Sequence, residues 1–255
     1  MIINTQVSCI IPFYNEGYRV FQVLEVVTQI KSITQVICID DGSTDNTAQL
    51  IQDNWPTVEL VRLPHNKGKA AAIRHGVQKA ENENILLMDA DLQSINKEEV
   101  EKAIQAIARQ NLDMLILRRI NAPWFVKFDR GDILLSGERI VKKKDLAKIL
   151  DQQVTGYQLE LAINLYMQKH KRAVRWMPWS ATNTYKAKKI GLVEGYKKEF
   201  EMFTDIVLYA GLKNIIKQIT LFATKEVDTE ERLAKNSKNG SISSFRNMLK
   251  QMAGD

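Results

Sequence analysis

The 255-residue chain is poor in the residues that staple, punctuate or anchor a fold: five prolines, two cysteines and three histidines. Two cysteines cannot build a disulfide framework. Cys9 and Cys38 lie inside the apolar runs VSCII and VICID, where a thiol acts as a small hydrophobe. His65, His75 and His170 show no metal-ligand spacing. No apolar run reaches the roughly 20 residues that span a bilayer. The N-terminus has no basic start and no small-residue cleavage site, so the expected location is cytoplasmic. No G-x-G-x-x-G follows the first apolar strand, which disfavours a dinucleotide oxidoreductase.

What is present reads as an ordinary globular protein, 45% hydrophobic and 26% charged. The net charge of +6 is unevenly spread: residues 1–117 hold 10 Lys+Arg against 15 Asp+Glu (−5), residues 118–200 hold 18 against 8 (+10), and residues 201–255 hold 8 against 7 (+1). An acidic first half and a basic middle suggest a division of labour, with the basic part facing an anionic partner. Only that basic stretch speaks for nucleic acid, so none is expected as a partner.

Strand-like and helix-like segments alternate over the first 117 residues. VSCIIPFY, QVICIDD, VELVRL, ENILLMDAD and LDMLIL read as strands; RVFQVLEVVTQI, TAQLIQDNW, KGKAAAIRHGVQKA and KEEVEKAIQAIARQ read as helices. The pattern predicts an α/β fold with a mostly parallel sheet flanked by helices. Residues 118–140 read as irregular. KKKDLAKIL, YQLELAINLYMQKH and KKEFEMFTDIVLYAGLK read as helices, and RAVRWMPWS and NIIKQITLFATKEV as strands. Residues 226–240 are polar; SISSFRNMLKQMAGD, at 241–255, has the spacing of a short amphipathic helix behind a serine cap.

Ligands of an open parallel sheet bind beyond the carboxyl ends of its strands. Pro12, Tyr14, Asn15 and Glu16 follow the first strand; Asp40, Asp41, Gly42, Ser43 and Asp45 follow the second; Asp89, Asp91 and Gln93 follow the fourth. Carboxylates gathered at one edge are costly without a cation or hydrogen-bond donors beside them. Asp89 and Asp91, two apart, project to one side of an extended segment and suit a hard divalent cation such as Mg2+ or Mn2+ on a diphosphate. Each motif is weak alone. Asp41-Gly42-Ser43-Thr44-Asp45 is also a common turn, and a DxD triplet arises by chance; their order after successive strands makes the set specific.

Taken in order, IIPFYNE, CIDDGSTDNT, HNKGKAAAIRHG and LLMDADLQ resemble glycosyltransferase family 2 with the Rossmann-like GT-A fold. The nearest branch is the dolichyl- or polyprenyl-phosphate sugar transferases, and the strong match covers residues 5–118. The resemblance implies a metal-dependent, inverting enzyme. It would move a sugar from a UDP- or GDP-linked donor to a polyprenyl phosphate or a cell-envelope glycan. Pro12, Tyr14 and Glu16 would line the base and ribose pocket, and Asp41, with Asp40 beside it, would accept a hydrogen bond from the base. Lys69 would lie near the nucleotide, and Asp89, Asp91 and Gln93 would hold the metal on the diphosphate. Arg118 and Arg119 would hold the acceptor phosphate, with Arg130 and Ser136 as second basic and hydroxyl groups; Asp132 is the candidate base for a hydroxyl acceptor.

The chain departs from the family at DILLSGERI, where Glu138 replaces a usual Phe and one residue is added between Asp132 and Gly137. Residues 1–118 are expected to form the nucleotide-sugar half, 119–225 the acceptor half of the same domain, and 226–255 a linker and terminal helix. Glu160 reads as structural. Trp176 and Trp179 suit sugar stacking or core packing alike, and Lys142-Lys143-Lys144 a solvated helix start or a lipid contact. The basic middle and the terminal helix are the expected peripheral contact with the inner membrane face. A nucleotidyltransferase and a catalytically silent nucleotide-binding protein remain as alternatives.

Overall fold

The computed structural model describes residues 5–121, 130–152, 154, 158–183 and 209–228. Its elements in chain order are β1 (Val7–Phe13), α1 (Arg19–Val27), β2 (Ile33–Asp40), α2 (Thr47–Asn54), β3 (Glu59–Arg62), α3 (Lys69–Lys79), β4 (Asn84–Leu87), β5 (Leu92–Gln93), α4 (Lys97–Arg109) and β6 (Met114–Arg119). Then come α5 (Gly131–Leu134), β7 (Arg139–Lys142), α6 (Lys143–Leu150), α7 (Gln158–Lys169), β8 (Val174–Trp179), β9 (Thr182–Asn183) and α8 (Leu212–Leu221).

Seven strands form one sheet in the order β3-β2-β1-β4-β7-β6-β8. All pair in parallel except β7, which runs antiparallel between β4 and β6. The strands bury both faces, so they read as continuous apolar runs. Alternate residues serve opposite layers. Cys9, Ile11, Cys38, Leu86, Leu115 and Leu117 join the layer under α1 and α4. Ile10, Ile37, Ile39, Ile85, Leu87, Met114 and Ile116 join the layer under α3, α6 and α7. Both cysteines are free and buried, as the sequence predicts.

Three readings need correction. The fourth strand stops at Leu87, so Met88–Asp91 leaves the sheet before the carboxylates are reached. The stretch 118–140 read as irregular holds the end of β6, the short helix α5 and the start of β7. Strand β7 sits between β4 and β6, so residues on both sides of the expected 118/119 boundary share one sheet. Lastly, NIIKQITLFATKEV, read as a strand, folds into helix α8 over Leu212–Leu221. Its β-branched content favours a strand, but Leu212, Ile215, Ile216 and Ile219 carry the three-and-four spacing of a helix face.

The helix expected in KKEFEMFTDIVLYAGLK lies largely outside the described residues, and the terminal helix at 241–255 entirely so. No helix among the described residues is long and apolar enough to cross a membrane.

Candidate functional site

The parallel register puts the ends of β1, β2 and β4 on one sheet edge. Phe13 stands opposite Asp40, and Ile10 opposite Leu87. Asp41 N–H donates to Phe13 O at 2.9 Å, and Met88 N–H to Ile10 O at 3.1 Å. Everything that follows these strands emerges along that rim.

The first two loops are tied together. Asn15, at φ +53°, accepts from Thr44 N–H at 2.9 Å and Asp45 N–H at 3.3 Å, and its own N–H donates to Ser43 Oγ at 3.0 Å. Glu16 pairs with Arg19 at 2.6 Å. Tyr14 stands 43% exposed beside them, open to a planar ligand. Pro12 lies within β1, opposite Ile39. Asp40 is buried and accepts from Ser43 N–H at 2.7 Å, with the Arg62 guanidinium at 3.4 Å. Gly42, at φ +74°, lies so close to His65 that a Cβ would meet that residue's backbone carbon at 2.5 Å.

Asp41 connects this region to the next. Its two carboxylate oxygens accept from Lys67 N–H and Gly68 N–H, both at 2.8 Å, and so fix the entry to α3. The first residue of that helix is Lys69, whose Nζ lies 2.7 Å from Asp89 Oδ1 and 3.1 Å from Glu160 Oε1. Burial opposes the Lys69 charge, but the two carboxylates outweigh it and raise the pKa. Burial likewise opposes the Asp89 charge, yet Lys69, then Arg119 and Arg139, hold its pKa below the ordinary value. Gly137 covers this pair: a Cβ there would stand 2.8 Å from Lys69 Nζ and 2.9 Å from Asp89 Oδ2.

Asp91 and Gln93 follow on the same loop. The loop is pinned by β9, with Gln93 opposite Thr182 and Leu92 opposite Asn183. The oxygen donors of Asp89, Asp91 and Gln93 suit a hard divalent ion chemically. Among the described residues, however, no three His, Cys, Asp or Glu side chains cluster at metal-binding distances. With Lys69 on one oxygen of Asp89, a divalent ion here would need further oxygen ligands, from a bound diphosphate or from water.

Of the acceptor-side candidates, Arg118, Asp132 and Arg130 lie within electrostatic reach of one another. Arg118 Nε pairs with Asp132 at 2.5 Å, and its guanidinium lies 4.8 Å from the centre of the Trp176 ring. The charge of Arg119, one residue on, acts on Asp89 and Glu138 and pulls the pKa of each downward. Its Nε is buried without a partner. Arg130 turns away from the rim. It donates to Ile219 O at 2.9 Å and to Phe222 O and Ala223 O at 2.8 Å, closing the end of α8. Ser136 is fully buried and donates to Leu117 O at 2.8 Å. Asp132 is buried in its ion pair. Trp179 is a core side chain.

Two residues gain weight. Glu160 is buried and holds Lys69; its signal was a single carboxylate within the apolar helix YQLELAINLYM. Glu138 is fully buried, its pKa raised by burial and by Asp89, with Oε1 unpartnered. Its signal was the departure from Phe. The neighbouring Arg139 is fully buried too, donating to Ser136 O and, at 3.0 Å, to Asn164 Oδ1.

The model of the family described as glycosyl transferase family 2 matches residues 8–166. The chain belongs to glycosyltransferase family 2. This family 2 chain is 35% identical over 134 residues to an undecaprenyl-phosphate 4-deoxy-4-formamido-L-arabinose transferase of Proteus mirabilis, covering 48% of this chain and 40% of that one. It is 31% identical over 122 residues to a dolichyl-phosphate beta-glucosyltransferase of Trichomonas vaginalis, covering 42% and 36%. It spans less than half the length of the curated relatives it matches. Among solved structures, glucosyl-3-phosphoglycerate synthase of Mycobacterium tuberculosis, crystallised with Mn2+ and UDP, superposes with a TM-score of 0.57 at 15% identity, covering 71% of this chain and 72% of that one. TarS of S. aureus superposes with a TM-score of 0.57 at 19% identity, covering 84% and 69%. At these identities the likeness concerns the fold, which is the GT-A arrangement the sequence predicts.

Proposed function

We propose that this family 2 chain transfers a sugar from a nucleotide-diphosphate donor to a polyprenyl phosphate or a related cell-envelope acceptor, with inversion at the sugar carbon. One observation carries the reading. Asp41 fixes the backbone that presents Lys69, and Lys69 holds Asp89, so three strand-end segments form one charge-matched rim.

The base and ribose would lie over Tyr14 and the Asp41 loop, and the diphosphate would pass Lys69 toward Asp91. A bound Mg2+ or Mn2+, held by Asp91, Asp89 and Gln93, would supply Lewis-acid support for charge on the departing diphosphate. Lys69 contributes a fixed positive charge at the same place, which favours the developing anion over the ground state. Arg119, whose charge acts on Asp89 from the end of β6, and Arg118, braced by Asp132 and Trp176, suit an anionic acceptor arriving from the other side. A phosphate acceptor is already ionised and attacks without a base. A single displacement then gives the inverted product and a nucleoside diphosphate.

The relatives named for undecaprenyl-phosphate and dolichyl-phosphate acceptors support the lipid-phosphate reading. A screen of UDP- and GDP-sugars with Mg2+ or Mn2+, reading nucleoside diphosphate release with and without undecaprenyl phosphate, tests it. The expected result is release that depends on one donor and rises with the lipid phosphate. Turnover of nucleoside triphosphates alone would instead mean a nucleotidyltransferase.

A further inference from the structure

Helix α8 (Leu212–Leu221) carries an outward face that the interior does not use. Among the described residues six large apolar side chains are exposed, and two of them, Leu212 at 62% and Ile216 at 54%, share one side of this helix, while exposed Leu221 lies on the opposite side. Leu212 and Ile216, one turn apart, form a stripe along the exposed edge of the apolar face whose Ile215 and Ile219 pack inward. Lys213 and Lys217, also one turn apart, run beside it. The helix sequence LKNIIKQITL contains no acidic residue, and exposed Lys225 follows its end. An apolar stripe flanked by lysines suits a surface apolar beneath and negative above, which describes an anionic bilayer interface.

The inner side of α8 is held firmly, so the outer face is presented rather than loose. Gln218 is fully buried and accepts from Asn164 Nδ2 at 3.3 Å. The Arg130 guanidinium binds three carbonyls at the helix end. Arg130 immediately precedes α5, the helix that carries Asp132 and so braces Arg118. The outer face of α8 is thereby tied to the arginines at the end of β6.

We propose that α8 is the membrane-contact element of this chain, seating Leu212 and Ile216 in the headgroup region of an anionic leaflet with Lys213 and Lys217 on lipid phosphates. The surface stands on exposure and charge alone. Its use in delivering a lipid-linked acceptor rests on the proposed function.

The test is co-sedimentation of the full chain with phosphatidylcholine vesicles, with and without phosphatidylglycerol. Wild type is expected to bind the anionic vesicles. Leu212→Glu with Ile216→Glu should reduce binding by roughly tenfold or more, and Lys213→Gln with Lys217→Gln by roughly fivefold per lysine at low salt, fading at high salt. Should the Glu pair fail to fold, Leu212→Ser with Ile216→Ser makes the same test. Vesicle binding unchanged by these substitutions, or absent in wild type, overturns the proposal. So does a wild-type dimer that the Glu pair converts to monomer, since the face would then be covered by a second copy. A chain that binds vesicles through α8 but releases no nucleoside diphosphate from any donor would refute the proposed function and leave the surface standing.

Discussion

Lys69 Nζ lies 2.7 Å from Asp89 Oδ1, joining the first turn of α3 to the end of β4. The acidic rim at the strand ends is thus compensated by a cation that the chain itself supplies, and Glu160 from α7 shares it.

Lys69→Met should leave Asp89 and Glu160 uncompensated, with buried Glu138 nearby. Both members of the pair keep about 30% of their side-chain surface, 31% and 29%, so solvent screens the interaction. A loss of about 1 kcal/mol is expected at neutral pH. Asp89 has a depressed pKa, so its contribution is present above about pH 4 and is lost as pH falls through the folded-state value. Lys69 has a raised pKa, so its contribution is present below about pH 10 and is lost only in stronger alkali. Urea denaturation of both proteins across pH should show the gap widest between these limits and closing in acid.

Gly137→Ala should injure the site more than the fold. The new methyl would press on Lys69 Nζ at 2.8 Å and Asp89 Oδ2 at 2.9 Å, and the lysine tip can swing away. Nucleotide affinity is expected to fall about tenfold, with a melting temperature close to wild type. Gly42→Ala is the contrast. Its Cβ would meet backbone at 2.5 Å in a left-handed conformation, costing about 2 kcal/mol or more of stability. Calorimetry and nucleotide titration on the two variants separate these outcomes.

Arg130→Ala should behave as a structural lesion. It removes donors from Ile219, Phe222 and Ala223 carbonyls and is expected to destabilise by about 1–3 kcal/mol. Arg118→Lys keeps the charge but loses the guanidinium plane over Trp176 and its bond to Asp132. It should raise the KM for the acceptor with little change for the donor. Initial-rate kinetics with each substrate varied in turn makes the distinction.

Burial raises the pKa of both Cys9 and Cys38 thiols, and Cys38 adds to the effect on Cys9. Neither should react with a disulfide reagent in the native state up to about pH 9, because the thiolate is the nucleophile. Both should react once the chain is denatured. A thiol assay in buffer and in guanidinium measures this directly.

The first 119 residues were legible because each strand there is an apolar run closed by a helix with regular spacing. Burial on both faces leaves that signature in sequence. Asp40, Asp41, Asp89 and Asp91 were found by their place at strand ends. The pairing of Lys69 with Glu160 was not, since the two stand 91 residues apart and only the tertiary fold brings them together. Strand β7 escaped because RIVK is four residues long and its pairing with β4 spans the chain between them. Helix α8 was misread because β-branched residues outweighed their own helical spacing. The carbonyl contacts of Arg130 were not legible because a guanidinium that binds carbonyls reads no differently in sequence from one that binds phosphate.

A divalent ion lacks three clustered carboxylate, His or Cys ligands among the described residues. Mn2+ alone should therefore bind weakly, and nucleoside diphosphate with Mn2+ far better. The decisive measurement is isothermal titration of the wild-type chain and of Asp91→Asn with UDP and GDP, each with and without Mn2+. One nucleotide is expected to bind wild type with an affinity that Mn2+ increases at least tenfold, and Asp91→Asn, still folded, should lose that increase. Equal binding by both proteins, or no binding of either nucleotide by wild type, would contradict the account.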